Sequence, residues 1–77
     1  MRVISQDKTV NVQYEGNVFC VINDEEKKEY LVAVRNNNLT GFMPLATYQT
    51  KQEAQAAFDS LIDAGETFNG RNSAYKF

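Results

Sequence analysis

The sequence predicts a single α+β domain, an antiparallel β-meander of about five short strands with one amphipathic helix packed on one face. Three observations support this fold class. Short apolar or alternating segments fill the first part of the chain, turn-forming residues separate them, and a later segment repeats its apolar residues at helical spacing. With 77 residues, of which 43% are hydrophobic, the chain has room for one domain, residues 1–77, and enough apolar side chains to fold.

The chain begins with a predicted hairpin. An apolar pair is followed by polar residues, and residues 10–14 then alternate apolar and polar at the period of two that is typical of a half-buried strand. Asp7 lies between these segments and is a favoured turn residue, because its side chain accepts hydrogen bonds from nearby backbone. We therefore expect strands near 2–5 and 9–14, joined by a turn at 6–8.

Three further strands are predicted in the middle of the chain. Residues 18–22 form a continuous apolar run, residues 23–29 are too charged to bury and should form a solvated hairpin loop, and residues 30–34 form the next strand. After a loop of three asparagines, residues 41–48 are predicted as a strand. Proline cannot donate a ladder hydrogen bond, so we expect Pro44 at an edge, at a bulge or at the beginning of its strand.

The helix has the clearest sequence signals. Thr50 is a good N-cap, and Glu53 completes a capping box three residues later. Gly65 is expected to supply the left-handed residue that ends the helix. The apolar residues that repeat at i, i+3, i+4, i+7 and i+8 are Ala54, Ala57, Phe58, Leu61 and Ile62. This pattern predicts a helix from about 51 to 64, and the alternating tail at 74–77 predicts a short last strand.

Charge and cysteine content narrow the function. The net charge of −2 is far from the basic footprint of a nucleic-acid binder. Cys20 is the only cysteine and lies in an apolar run, so we interpret it as a small buried hydrophobe rather than a reactive thiol. We find no secretory signal and no apolar run long enough for a membrane span. We therefore expect a cytoplasmic protein that does not act at a membrane.

No combination of residues indicates catalysis. Ser5 and Asp7 could act as nucleophile and orienting acid, but the chain contains no His to serve as the base, and we favour a turn stabilised by these side chains. One Cys and no His provide no zinc ligand set. The carboxylates between residues 24 and 29 lack the spacing of a calcium loop. We expect no catalytic residues, no metal and no cofactor, and we predict that the protein is not an enzyme.

The most distinctive segments lie at the two ends of the chain. The first fifteen residues read MRVISQDKTVNVQYE, and Tyr48-Gln49-Thr50 precedes the helix that leads to the tail Tyr75-Lys76-Phe77. These segments resemble small proteins of Gram-positive bacteria and their prophages, which begin close to MRVISQDGTIDVPYE and carry a Tyr-Ser-Thr-type segment, a helix and an aromatic tail. Lys8 and Gln13 replace a Gly and a Pro of that pattern, and a left-handed Lys8 would cost about 1 kcal/mol. The resemblance implies a bacterial or prophage origin and transfers no catalytic residue.

The predicted strands carry apolar residues on both alternating sets of positions. One helix of about 14 residues is ~21 Å long and covers only one sheet face, and a large apolar face seldom stays bare on a monomer. The sheet could instead curl until its own loops and tail close the second face. The residues that we predict to form an interaction surface are Phe19, Val21, Tyr30, Leu31, Phe42, Met43, Leu45, Tyr75 and Phe77.

Two hypotheses for function remain open. The first is a non-enzymatic protein–protein interaction module of phage or prophage type, whose partner is either a second copy in a homodimer or a host protein. The alternative is single-stranded nucleic-acid binding through sheet aromatics, namely Phe19, Tyr30, Phe42 or Tyr48. The acidic balance and the few basic residues in the strands make nucleic acid the less favoured partner.

Overall fold

The structure, a computed structural model, describes residues 1–35, 41–67 and 73–77. The elements in these ranges are β1 (Arg2–Ile4), β2 (Asn11–Gln13), β3 (Val18–Asp24), β4 (Glu29–Arg35), β5 (Met43–Tyr48), α1 (Lys51–Thr67) and β6 (Ala74–Lys76). The predicted α+β class, the helix and the short C-terminal strand are confirmed. The loop of three asparagines lies outside the described residues.

The strands form two three-stranded sheets instead of one five-stranded meander. In the N-terminal sheet, ordered β2-β1-β6, Val3 lies opposite Val12 of antiparallel β2 and opposite Tyr75 of parallel β6. In the central sheet, β3, β4 and β5 form an antiparallel meander in that order. The two sheets separate after β2, where Gly16 adopts a φ of 82° that glycine tolerates without steric cost. The predicted meander is therefore limited to the three strands of the central sheet, and β1 of the opening hairpin pairs with the C-terminal strand β6.

The β3–β4 hairpin is longer than the sequence indicated. Its register runs without a shift from Val18 opposite Arg35 to Asp24 opposite Glu29, so part of the charged segment belongs to the strands. The turn narrows to residues 25–28, and Asp24 Oδ1 accepts a hydrogen bond from the backbone N–H of Lys27 at 3.3 Å. Charged residues can end these strands because the hairpin tip is exposed to water.

Pro44 lies at a β-bulge, one of the three positions that the sequence indicated. Ala33 pairs with Pro44 and Val32 pairs with Ala46, so Leu45 is the extra residue without a partner in β4. Leu45 is only 2% exposed and belongs to the core. The bulge therefore allows β5 to accept a proline at the sheet edge and to place a leucine in the interior.

The core lies where the two sheets and the helix meet. Its buried cluster takes residues from β1, β4, β5 and α1 and consists of Met1, Val3, Val34, Leu45 and Leu61. Partly buried side chains pack around it, including Tyr14, which stacks on Phe19 with 5.6 Å between ring centroids. The helix therefore covers the face of the central sheet that carries Phe19 and Val34. We call this the inner face.

Thr50 is the N-cap of α1, as predicted, and its hydroxyl contacts the Glu53 carboxylate, but the end of α1 does not follow the prediction. The backbone N–H of Glu53 donates to Thr50 Oγ1 at 3.1 Å, and that hydroxyl donates to Glu53 Oε1 at 2.9 Å. The prediction that Gly65 ends the helix is wrong, because α1 continues through it to Thr67. A Cβ at residue 65 would overlap the ring of Tyr14. Gly65 therefore allows close packing between the helix and the residue that follows β2.

We predict that Gly65→Ala destabilises the protein by about 1–3 kcal/mol, because a methyl group forced against the Tyr14 ring overpacks the core. Helix propensity alone favours Ala over Gly by about 1 kcal/mol and predicts the opposite sign. Urea denaturation measures the difference. Gly41→Ala is the control, since nothing lies within 4 Å of a Cβ there, and it should change the free energy of unfolding by no more than about 0.5 kcal/mol. Stabilisation by Gly65→Ala would show that the Tyr14 contact is unimportant.

Candidate functional site

The pairing register of the central sheet divides its residues between two faces. Directly opposite residues of an antiparallel pair lie on the same face. Phe19 lies opposite Val34 on the inner face, so the neighbouring residues of both strands face outward. We call the apolar residues of this side, with the Pro44 that lies opposite Ala33, the outer face: Val18, Cys20, Ile22, Leu31, Ala33 and Pro44. The polar residues on the same side are Asp24, Glu29, Arg35 and Thr47.

Among the described residues, no element covers the outer face. The core cluster and the partly buried hydrophobic residues around it include none of its members. Val18 is 59% exposed, Pro44 is exposed, Cys20, Ile22 and Leu31 are half-buried, and the small Ala33 is fully buried. An apolar sheet face without a cover is typical of interaction surfaces, because contiguous exposed apolar patches are uncommon on monomers.

Burial raises the pKa of the Cys20 thiol. A raised pKa lowers the thiolate fraction at neutral pH, and the thiolate is the reactive form. The position of Cys20 on the outer face therefore agrees with its interpretation as a small apolar side chain, although it is half-buried and not part of the core.

One end of the outer face carries an aromatic–cation contact. Arg35 lies opposite Val18, and its guanidinium carbon is 5.9 Å from the ring centroid of Phe42. Phe42 is 47% exposed. Val18 and Phe42 are the two large hydrophobic side chains that the described residues leave exposed, and Arg35 contacts or pairs with both. We call these three residues the Arg35 corner.

The nine residues that were predicted to form one interaction surface lie in different parts of the structure. Leu31 belongs to the outer face, and Phe42 belongs to the Arg35 corner beside it. Leu45 is buried in the core and is not part of any surface. The others lie on the inner face or pack against the core: Phe19, Val21, Tyr30, Met43, Tyr75 and Phe77. Of these, Val21 and Tyr30 line an open groove between β3 and α1, together with Lys51 and Gln55.

Sequence reasoning missed Val18, Cys20 and Ile22. The period-two alternation within the run 18–22 separates these residues from Phe19 and Val21, and this signal was present in the sequence. It does not say which of the two sets faces the helix. The pairing of Phe19 with Val34 and their place around the core decide this.

The turn between β1 and β2 is held by its own side chains. Ser5 Oγ donates to Asp7 Oδ1 at 2.7 Å and accepts a hydrogen bond from the backbone N–H of Val10 at 2.9 Å. The same Asp7 oxygen accepts hydrogen bonds from the backbone N–H of Thr9 at 3.0 Å and from its hydroxyl at 2.7 Å. Hydrogen bonds from Ser5 and Thr9 lower the pKa of Asp7 to about 2.

This arrangement favours the structural interpretation of Ser5 and Asp7. The Ser5 residue is 1% exposed, and its hydroxyl is occupied by both the carboxylate and the backbone of the turn. A serine nucleophile needs a base that removes its proton, whereas Asp7 is a carboxylate whose lowered pKa makes it a weak base. The turn also brings Gln6 to β5, where its backbone N–H donates to the carbonyl of Leu45 at 2.7 Å.

Residues 1–35, 41–67 and 73–77 contain no group of three or more His, Cys, Asp or Glu residues placed to hold a metal ion. Within them, no helix has both the length and the apolar character that crossing a membrane requires. The fold and its surface thus define a small α+β protein with one uncovered apolar sheet face. No family model, curated protein or solved structure matches the chain.

We predict that Lys8→Gly stabilises the protein by about 0.5 kcal/mol. Lys8 has a φ of 65°, a left-handed conformation that costs roughly 1–2 kcal/mol for a residue with a Cβ. Glycine removes this cost but adds about 0.5–1 kcal/mol of entropy to the unfolded chain. Lys8→Ala is the control, since it removes the same charge and keeps the Cβ. Chemical denaturation should show a gain for Gly only, and an equal gain for Ala would attribute the effect to charge.

We predict that Asp7→Asn destabilises the protein at pH 7 and that this difference disappears near pH 2. The pKa of Asp7 is lower in the folded state than its ordinary value of 3.8, so the ionised carboxylate stabilises the fold above about pH 4. This contribution is lost as the pH falls from about 4 to about 2. Urea denaturation of both proteins at pH 7, 4 and 2 measures the change. A difference independent of pH would show that the Asp7 charge is not involved.

Proposed function

We propose that this chain is a non-enzymatic protein–protein interaction module that binds its partner through the outer face and the Arg35 corner. The observation that carries the proposal is the apolar outer face, which no described element covers. The partner is either a second copy of the chain or a host protein. We further propose a bacterial cytoplasmic location and a phage or prophage type, which the lone cysteine and the resemblance of the opening segment support.

The composition of this surface resembles that of a protein interface more than that of a ligand pocket. Ile22 and Leu31, which lie opposite each other, form an apolar centre, Val18 lies at the Arg35 end, and Arg35 with Phe42 adds the residue types that are enriched at interfaces. Full burial of one such aliphatic side chain contributes about 1.5–3 kcal/mol, and Ile22 and Leu31 are already half-buried whereas Val18 is exposed. Each therefore contributes of order 1 kcal/mol on binding. Association itself costs at least about 4 kcal/mol, so a stable partner must cover most of the face.

Nucleic-acid binding is less well supported by the positions of the aromatic residues. Phe19, Tyr30 and Tyr48 lie on the inner face, and burial raises the pKa of the Tyr48 hydroxyl. Of these four aromatic residues, Phe42 is the exposed one, and Arg35 is the cation beside it. A stacking platform needs several accessible rings along a basic groove. Protein is the partner class that this surface fits better.

We predict that a photo-crosslinking amino acid at Leu31 captures one discrete protein partner in cells, and that the same group at Gln52 does not. Leu31 lies on the outer face, and Gln52 is exposed on α1. After identification by mass spectrometry, the purified partner should bind the full chain saturably. Leu31→Lys should weaken binding at least about tenfold, or about 1.4 kcal/mol, by placing a charge in the apolar centre. Gln52→Lys should leave binding unchanged.

Circular dichroism should confirm that both lysine variants fold. Equal crosslinking from Leu31 and Gln52, or binding that Leu31→Lys does not weaken, would contradict the outer face as the binding surface. A salt-dependent gel shift with single-stranded DNA and RNA tests the alternative. Tight nucleic-acid binding that depends on Phe42 and Arg35, without a protein partner, would replace the proposal.

A further inference from the structure

The long edge of the central sheet is formed by β3. This strand has seven residues, Val18–Asp24, and within the described parts of the chain it pairs with β4 alone. An edge strand directs alternate backbone N–H and C=O groups away from its sheet, where they can pair with another strand. In the described residues, β3 therefore presents a row of backbone donors and acceptors that pair with no second strand.

The opposite edge, formed by β5, is partly occupied by the β1–β2 turn. The backbone N–H of Gln6 donates to the carbonyl of Leu45 at 2.7 Å, and the backbone N–H of Thr47 donates to Gln6 Oε1 at 3.3 Å. These contacts use two of the backbone groups that an edge strand leaves free. The chain therefore protects the β5 edge with its own residues, and β3 is the edge suited to a new strand.

The sequence of β3 has few of the features that natural proteins use to block edge pairing. Such features include proline, charged side chains and bulges. The strand reads VFCVIND, its one charged residue is Asp24 at the end, and its register with β4 has no shift over seven pairs. Its first five residues are apolar. The edge is therefore regular, long and competent to pair.

We propose that β3 pairs antiparallel with β3 of a second copy, about a two-fold axis at Val21, to form one six-stranded sheet. This register opposes Val21 to itself, Cys20 to Ile22 and Val18 to Asp24, so that all seven residues of both strands pair. The inference goes beyond the proposed function, because it uses the strand edge and leaves the outer face free. A two-fold axis perpendicular to the sheet places both outer faces on the same side, where they form a continuous apolar surface twice as wide.

Charge complementarity favours an antiparallel second copy as the occupant. At one end of the hairpin the outer side carries Arg35 beside Val18, and at the other end it carries the paired carboxylates Asp24 and Glu29. The two-fold axis places the acidic end of each copy beside the Val18–Arg35 end of the other. A parallel arrangement would place Asp24 opposite Asp24, and like charges directly opposite are destabilising. Among the described residues, β2 and β6 are edge strands of only three residues and Gln6 partly occupies the β5 edge, so β3 is the one long free edge of each copy and the assembly closes at two copies.

A cysteine pair tests both the edge and the register. In the proposed dimer, Ile22→Cys faces Cys20 of the second copy at the Cβ separation of opposite residues, about 4.5–5.5 Å, which is close enough for a disulfide after a small adjustment. Mild oxidation should therefore crosslink full-length Ile22→Cys as a dimer and leave wild type, with Cys20 alone, mostly uncrosslinked. Leu31→Cys is the control on the same face but one strand further from the edge, and it should not crosslink.

Sedimentation under reducing conditions tests the dimer without a crosslink. Wild type should behave as a dimer of 8.7 kDa chains. Val21→Glu should weaken dimerisation at least about tenfold, because two carboxylates meet at the axis. Val21 lies beside Lys51 in the groove next to α1, so a glutamate there has a cation nearby in the folded chain. Val21→Thr, uncharged and β-branched, should keep the dimer.

A monomeric wild type together with uncrosslinked Ile22→Cys would overturn the inference. Crosslinking by Leu31→Cys in place of Ile22→Cys would also overturn it, because the copies would then meet face to face, as one form of the proposed function allows. A Val21→Glu monomer that still captures a different protein through Leu31 would support both proposals as separate surfaces. A β3-linked dimer whose outer face captures no protein would support the inference and refute the proposed function.

Discussion

The packing of Leu61 with Val3 and Val34 brings together the three parts of this small protein. Leu61 comes from the helix, Val3 from the N-terminal sheet and Val34 from the central sheet, and all three are almost completely buried. A chain of this length buries only about 60% of the surface that it exposes when unfolded, so a shared core is its most economical arrangement. The helix and the N-terminal sheet both serve the inner face. For this reason the described chain leaves no element to cover the outer face.

The polar side chains of the β1–β2 turn also stabilise the fold, through hydrogen bonds instead of apolar packing. Ser5 and Asp7 form hydrogen bonds with each other and with the backbone of the turn, so the Ser5 hydroxyl is buried with its hydrogen bonds satisfied. Lys8 adopts a left-handed conformation in this turn, which is unfavourable for a residue with a Cβ. The Ser5 and Asp7 side chains, which resemble part of a catalytic set in the sequence, thus stabilise the tight turn between β1 and β2.

The sequence predicted best what depends on neighbouring residues. The N-cap at Thr50, the turn at residues 6–8 and the irregular position of Pro44 each follow from local chemistry. The end of the helix was mispredicted, because the need for glycine at residue 65 comes from Tyr14, which is distant in sequence. The local sequence favoured Gly65 as the residue that ends the helix. Its close packing against Tyr14 explains the glycine instead.

The candidate surface was predicted only in outline, for the same reason. The expectation that apolar residues would remain on a second face rested on counting, and counting does not assign residues to faces. Leu45 is buried in the core because it lies at a bulge. Val18, Cys20 and Ile22 lie on the outer face because Phe19 pairs with Val34 on the inner face. The pairing register depends on all the strands of a sheet, so the sequence of one strand does not determine which of its residues face the core.

The parallel pairing of β1 with β6 has a consequence for biosynthesis. These strands are about 70 residues apart in the chain, yet Val3 lies directly opposite Tyr75. At about 5–20 residues per second, a ribosome needs roughly 4–15 s to make 77 residues. Throughout that time the opening hairpin lacks its third strand, and its apolar side chains lack the tail that shelters them. The N-terminal sheet is therefore completed only after β6 has been synthesised, and until then Val3 lacks the strand that lies opposite it.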